Sequence, residues 1–307
     1  QGYKDANDVL IGEGPAFLLD WVCDHKPWPV DGLYRMGELP EPAPMVLWHP
    51  GFPEWENKVM LSPGTISVVT GQPGHGKTVM WQQIWFQIVK RYELVACMAS
   101  FETRAKPHIR RQIRSLFHGK KERDLSEDEI RSADDWINDH YLFLVHPDRR
   151  PTLEWFLDKA EVAVARHGAK VIQLDPWNRL EGSRDPREPE TEYIARCIRA
   201  LSNFASDFSC HVQIIAHPSK MADARRGTPP SLEDISGSKH WENMVDQGFV
   251  VYRPEVFDGV NRKTESSLYH RKARFEELGY PCKLAMDYKI DEARYVSTDY
   301  TLGYGRV

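Results

Sequence analysis

The run Gly71-Gln72-Pro73-Gly74-His75-Gly76-Lys77-Thr78 fits the phosphate-binding pattern G-x-x-x-x-G-K-[ST] at every defined position. Backbone N–H groups of such a loop converge on an anionic phosphate, aided by the positive end of the following helix dipole. Lys77 is placed to reach the outer phosphates, and the Thr78 hydroxyl to hold Mg²⁺. The whole loop, from Gly71 to Thr78, is therefore read as a cradle for ATP or another nucleoside triphosphate with Mg²⁺. Context supports it. Ile66, Val68 and Val69 precede it as a buried strand, and the segment from Val79 to Lys90 follows as a helix.

Hydrolysis needs more than a cradle. It needs an acid for the metal, a group that orients water, and positive charge for the transition state. Asp175 directly follows the apolar run Val171-Ile172-Gln173-Leu174 and suits the metal-holding acid; an ordinary Asp-Pro turn is the plainer alternative. Glu102 ends the strand that starts at Leu94, where a carboxylate can polarise water, or simply begin a solvated helix near Pro107. His217 ends the strand Val212-Gln213-Ile214-Ile215-Ala216 and can sense the γ-phosphate; a lone histidine is also commonly structural. Lys272 and Arg274, two residues apart on a strand, share a face. They read either as a solvated basic edge or as an arginine finger and partner lysine directed at a neighbouring subunit's nucleotide. Two charged loops follow strand ends, 180–190 with Arg184 and Arg187, and 218–231 with Lys220, Arg225 and Arg226. The second is net basic, which suits contacts to a nucleic-acid backbone.

The elements that must position these groups alternate along the chain. Strands are predicted at 64–70, 94–100, 141–145, 170–174, 211–216, 247–252, 266–275, 282–290 and 293–297, and helices at 77–91, 104–118, 126–139, 152–167 and 190–208. Ser126 with Glu129 forms a capping box. Such alternation predicts an α/β fold, a mostly parallel sheet with helices on both faces, ending in an antiparallel edge. Residues 1–45 differ: a helix from Lys4 to Cys23, with Val9, Leu10, Phe17, Leu18 and Trp21 apolar, then a proline-marked connector. The expected division is an arm and linker over 1–45 and a catalytic domain over 46–307. The start at Gln1 leads us to expect a piece of a longer chain.

The chain of 307 residues is 41% hydrophobic, enough for a sizeable core, and no run approaches the length of a membrane span. A net charge of −5 excludes a basic coating but not a local basic channel. The five cysteines are scattered, none at zinc spacing, and are expected to be reduced and structural; the twelve histidines form no ligand cluster.

Taken in order, the motifs resemble a family. The stretches Ser62-Pro63-Gly64-Thr65, Ser100-Phe101-Glu102, Leu174-Asp175-Pro176-Trp177-Asn178, Ala216-His217-Pro218-Ser219-Lys220, Asp234-Ile235-Ser236-Gly237-Ser238-Lys239-His240-Trp241 and Arg271-Lys272-Ala273-Arg274-Phe275 resemble the RecA-type motor domain of Twinkle-like, DnaB-superfamily (superfamily 4) replicative helicases, especially fused primase–helicases. The segment Lys4-Asp5-Ala6-Asn7-Asp8-Val9-Leu10 is similar to the stretch after a Toprim primase module, which implies a primase-like domain upstream. The resemblance implies an ATP-dependent DNA helicase moving 5′–3′ as a hexameric ring on single-stranded DNA. It implies Glu102 as catalytic carboxylate, Asp175 as Walker B acid, His217 as phosphate sensor, and Arg274 as the finger in trans beside Lys272. Loop 218–231 with Gly237, Ser238 and Lys239 would face the DNA, and the first helix would pack on a neighbouring subunit. His75 departs from the family, where a small residue is more common. The implied setting is the cytoplasm of a bacterium or phage-infected cell, or an organelle in a eukaryote. A RecA-like recombinase or clock-type ATPase, and a regulatory or loader ATPase that barely unwinds, are the competing readings.

Overall fold

A computed structural model describes residues 3–23, 32–147, 151–181, 187–219, 227–235, 239–254 and 263–298. The chain divides into two compact units, 1–44 and 45–307.

The first unit carries α1 (Ala6–Cys23). Asp5 starts it, its carboxylate accepting from the N–H groups of Asn7 and Asp8. Sequence periodicity predicts one continuous amphipathic helix, but the helix breaks at Gly14 (φ 85°, ψ 172°) ahead of Pro15. Proline lacks the N–H needed inside a helix and restricts the residue before it, and Gly14 tolerates the resulting conformation. The expected apolar stripe is correspondingly disrupted: Leu10 and Phe17 are exposed.

The second unit is built on one nine-stranded sheet: β1 (Ile66–Thr70), β2 (Val95–Ser100), β3 (Tyr141–Phe143), β4 (Ala169–Asp175), β5 (His211–Ile215), β6 (Gln247–Tyr252), β7 (Glu265–Ala273), β8 (Cys282–Lys289) and β9 (Arg294–Ser297). Their spatial order is β3-β2-β4-β5-β1-β6-β7-β8-β9. Pairings from β3 to β6 are parallel, and those from β6 to β9 antiparallel. The mixed sheet with an antiparallel carboxy-terminal edge agrees with the sequence pattern.

Helices α2 (Lys77–Tyr92), α3 (Arg110–His118) and α4 (Glu127–His140) supply one core, and α5 (Leu153–His167), α6 (Glu190–Asp207) and α7 (His240–Met244) the other. Alternate strand residues separate into the two cores. Val69, Met98, Val171 and Ile215 go to the first, and Val68, Cys97, Ile172 and Ile214 to the second. That division is the period-2 geometry of a strand whose two faces are both covered. It explains why these strands are continuous apolar runs. Helix α4 begins with the expected capping box, Ser126 accepting from the Glu129 N–H while Glu129 accepts from the Ser126 N–H.

Two local expectations fail. The helix predicted from 104 begins at Arg110, because Lys106, preceding Pro107, is held extended (φ −112°, ψ 130°). Residues 105–109 form a wide π-type turn instead. Helix α7 was not predicted; it is too short to show a period. None of the five cysteines is in a disulfide.

Helix α2 is the central support. Trp81 and Trp85 are fully buried, and the Trp85 indole donates to the Gln213 side-chain Oε1 at 2.8 Å. We expect Trp85→Ala to cost roughly 3–5 kcal/mol, from lost packing and a cavity. Urea denaturation of the purified domain measures it; a loss below about 1 kcal/mol would mean that this core repacks freely.

Candidate nucleotide site

Five parallel strands deliver the site. In a doubly covered sheet, polar groups collect where the strands end. β1 runs into the loop 71–78, β2 ends just before Glu102, β4 ends on Asp175, β5 leads to His217, and β6 leads to Arg253. The Phe101 N–H donates to the Asp175 carbonyl at 2.8 Å, which ties the ends of β2 and β4 together.

The loop is shaped by its glycines. Gly71 has φ +149°, and a Cβ there would run into the Val251 carbonyl oxygen of β6. Gly76, at φ +87°, leaves room for the Tyr295 hydroxyl. Both positions therefore require glycine for space as well as for conformation. The Lys77 ammonium folds back onto the carbonyls of Gly71 (2.6 Å) and Gln72 (3.2 Å), acceptors that a phosphate would replace. Burial lowers the Lys77 pKa to about 8, opposed by the carboxylates of Asp175 and Glu102. A phosphate oxyanion beside Lys77 would restore the fully charged ammonium.

The Thr78 hydroxyl donates to Asp175 Oδ2 at 3.0 Å. Burial pushes the Asp175 pKa up to about 6. A buried carboxylate beside a hydroxyl is a hard oxygen pair that suits Mg²⁺, and a cation there would offset the burial. The residues present thus fit the metal that the loop implies.

Glu102 is more exposed. One carboxylate oxygen accepts from Arg179 Nε at 3.2 Å, and the other lies 3.6 Å from His217 Nε2. Burial lowers the His217 pKa, with Lys77 adding to the effect and Glu102 opposing it, which favours the neutral ring. Its buried Nδ1 has no hydrogen-bond partner among the described residues. Glu102, His217, Lys77 and Thr78 share a cavity of about 390 Å³ with Arg253, Tyr288 and Tyr295. On its other side Glu102 also lines a groove of about 1160 Å³, with Arg110, Tyr141 and Arg179.

Residues 51–292 match the family described as DnaB-like helicase C terminal domain. The chain belongs to that family. It is 31% identical over 269 residues to "Twinkle homolog protein, chloroplastic/mitochondrial" of Arabidopsis thaliana, a match covering 82% of this chain and 38% of that protein. The chain thus spans well under half of that relative's length. Two solved structures share the domain's fold at 18% identity. "ATPase Domain of G40P" superimposes with a TM-score of 0.66, covering 81% of this chain and 90% of that one. "The Structure Of A DnaB-Like Replicative Helicase And Its Interactions With Primase" does so with a TM-score of 0.65, covering 81% and 61%.

Of the residues singled out by sequence, the structure brings together the 71–78 loop, Glu102, Asp175 and His217. Lys272 and Arg274 lie elsewhere. Lys272 donates to the carbonyls of Glu242 and Asn243 at the end of α7. Arg274, one residue past the end of β7, donates to the Met244 carbonyl at 2.9 Å and pairs with Asp246 at 3.0 Å. Of the DNA-contact candidates, Lys239 pairs with Glu233 at 3.2 Å and Arg187 is exposed. Arg184, Lys220, Arg225, Arg226, Gly237 and Ser238 lie outside the described residues.

Sequence reasoning missed Arg179, Arg253, Tyr288 and Tyr295. The two tyrosines reach the loop because β9 is pinned to α2: the Gln83 amide donates to the Tyr295 carbonyl (2.8 Å) and accepts from its N–H (2.6 Å). The available signal was Gln83 itself, a polar residue inside an apolar helix face.

The raised Asp175 pKa makes a stability prediction. Between its unfolded value, about 4, and about 6, the unfolded chain has released the proton that the folded domain keeps. Stability from this group therefore falls as pH rises through that window and stays lower above it. Asp175→Asn should accordingly stabilise the ligand-free domain at pH 8, by on the order of 1–3 kcal/mol, and much less at pH 4. Thermal unfolding of both proteins at the two pH values checks this.

Proposed function

We propose that this domain is the motor of an ATP-driven replicative DNA helicase, hydrolysing ATP or another nucleoside triphosphate with Mg²⁺ between the subunits of a hexameric ring. The observation that carries the reading is a separation. Residues of the loop 71–78, Glu102 and His217 line one cavity, with Asp175 bonded to Thr78 beside it, whereas Lys272 and Arg274 of the same chain bond elsewhere. The first set can bind and polarise. The cations needed for a phosphoryl-transfer transition state would then come from a neighbouring copy. Membership of the DnaB-like family supports this arrangement.

The roles follow from position. The backbone N–H groups and the Lys77 ammonium hold the phosphates. Thr78 and Asp175 would hold Mg²⁺, which when bound supplies neutralisation of phosphate charge. Glu102 accepts a proton from the attacking water or orients it, after leaving Arg179. His217, within reach of Glu102 and next to Lys77, registers the γ-phosphate and passes its state to the segment that begins at Pro218. Tyr288 and Arg253 face the cavity where a base and ribose would stack.

Single-stranded DNA would pass through the ring, touching Arg184, Arg187, Lys220, Arg225, Arg226, Gly237, Ser238 and Lys239. Six copies of a few cations concentrate positive charge in a channel despite the net charge of −5. Travel would be 5′–3′. The division into an arm over 1–45 and a motor over 46–307 fits a primase-like module upstream. The organellar name of the plant relative makes an organelle one setting for this chain, and a bacterial or phage-infected cytoplasm the other. Among the described residues, no helix is long and apolar enough to cross a membrane.

Glu102→Gln should retain nucleotide and single-strand binding while slowing turnover by on the order of 10²–10⁴-fold. Steady-state hydrolysis with equilibrium DNA binding measures both halves. Near-normal turnover would remove Glu102 from the reaction. DNA affinity should fall steeply with salt, and its absence at low salt with ATP and Mg²⁺ would favour a regulatory or loader ATPase.

Subunit sharing has its own test. Lys77→Ala and Arg274→Ala should each be inactive alone, yet regain partial activity when mixed, because some interfaces then pair an intact loop with an intact finger. Absence of recovery across all mixing ratios would place Arg274 outside a shared site.

A further inference from the structure

His75 stands at the apex of the phosphate loop between Gly74 and Gly76, both at positive φ (+80° and +87°). Its backbone N–H closes the loop on the Gln72 carbonyl at 3.2 Å. Its side chain does something separate. Nδ1 accepts a hydrogen bond from the backbone N–H of Arg253 at 3.1 Å. The ring also meets Tyr252 edge-on, with centroids 5.5 Å apart. Arg253 follows the last residue of β6, where the chain leaves the sheet before Pro254, so its N–H has left the strand ladder and needs another acceptor. His75 supplies it.

The groups facing the imidazole are Lys77 from its own loop and Tyr252 and Arg253 from the end of β6. Burial together with the cations of Lys77 and Arg253 lowers the His75 pKa to about 4, which keeps the Nδ1 lone pair free to accept. Arg253 is 8% exposed and lines the nucleotide cavity beside Tyr288 and Tyr295. Its Nη2 donates to the Lys263 carbonyl, while its buried Nε has no hydrogen-bond partner among the described residues. One side chain of the phosphate loop thus fixes the backbone of the residue that forms the far wall of the cavity.

We propose that His75 is a positioning residue for nucleoside recognition: it fixes Arg253 against the phosphate loop and so sets the seat of the base and ribose relative to the phosphates. This rests on the reading of the cavity as a nucleoside triphosphate site. It separates two contributions to binding that a phosphate loop ordinarily carries together. The loop backbone and Lys77 bind the phosphates without His75. The nucleoside end depends on His75 acting through Arg253.

The test uses the full chain and competition against a fluorescent ATP analogue, with ATP and inorganic tripolyphosphate as competitors. Loss of one hydrogen bond corresponds to roughly a fivefold to tenfold change in affinity. His75→Ala should weaken ATP by that factor and leave tripolyphosphate unchanged. His75→Asn, whose side-chain oxygen lies near the place of Nδ1, should restore ATP binding to within about twofold. His75→Gln, whose oxygen lies nearer the place of Nε2, should not. Hydrolysis should follow the same order in KM, with kcat changed less. Equal weakening of ATP and tripolyphosphate by His75→Ala would overturn the proposal, since it would mark a general loss of loop shape. Unchanged ATP binding in all three variants would overturn it too, leaving the nucleotide site itself intact. A wild-type chain that binds tripolyphosphate no worse than ATP removes the nucleoside contacts on which the proposal depends. Thermal midpoints of the three variants identify any that fail to fold, and His75→Asn against His75→Gln then decides.

Discussion

A strand packed between two layers of helices has no free face on which to carry chemistry. The apolar side chains along β1, β4 and β5 are committed to one core or the other, and most of the polar ones are buried with them. His211 is one such group: fully buried, it shares its ring nitrogens with Thr65, Ser67 and the Ser62 carbonyl, and burial lowers its pKa to about 4. Reactive groups are therefore confined to strand ends. Because β1, β2, β4, β5 and β6 are parallel, their carboxyl ends share one edge, and the phosphate loop, two carboxylates, a histidine and an arginine meet there by topology. The helix dipole of α2 and the ammonium of Lys77 add the positive field that makes this edge an anion site. The burial that stabilises the sheet also desolvates Asp175 and Lys77, shifting both toward their neutral forms, so that the proposed metal and phosphate would each offset that cost.

The antiparallel half has a different task. Strands β7, β8 and β9 need no crossover helices, so they fold back directly beside β6. Their outermost member reaches α2, where Gln83 bonds both backbone groups of Tyr295. This brings two tyrosines over the loop from far along the chain. It also imposes a demand on the loop, since the Tyr295 hydroxyl occupies the space that a side chain at residue 76 would need. Glycine at that position thus answers both to phosphate approach and to the fold of the carboxy-terminal strands.

What could be read from the sequence follows from these constraints. Long apolar runs with phosphate-loop punctuation are strong local signals, so β1, α2, β4 and β5 were legible, and with them the loop, Asp175 and His217 as neighbours. Glu102 was legible in place, but its contact with Arg179 was not, because that contact depends on where the short turn at 177–179 directs its last residue. Residues 105–109 were misread since a proline near a helix start is ordinary, and only the extended Lys106 shows that it delays the helix here. The break in α1 was readable in principle from Gly14-Pro15, a pair that an apolar stripe hides. Tyr288, Tyr295 and Arg253 carry no local signal. Their role comes from tertiary closure, and polar Gln83 in a buried helix was its only trace.

The location of Lys272 and Arg274 adds a final step. Both satisfy carbonyls at the carboxy end of α7, a favourable place for cations because four carbonyls there lack helical partners. Arg274 also pairs with Asp246, whose carboxylate accepts from the Ile66 N–H at the start of β1. α7 begins at His240, just after Gly237, Ser238 and Lys239, the stretch proposed to face DNA. If these cations reach the next subunit's triphosphate, they must exchange neutral carbonyl partners for a charged one. The exchange would release the end of α7 and remove a countercharge from Asp246 at the root of the strand that carries the subunit's own phosphate loop. The two cations would then bear on three places at once: a neighbour's nucleotide, the DNA-facing segment and the subunit's own loop. In a ring, that is the connection needed for hydrolysis at one interface to be felt both at the DNA and at the next site.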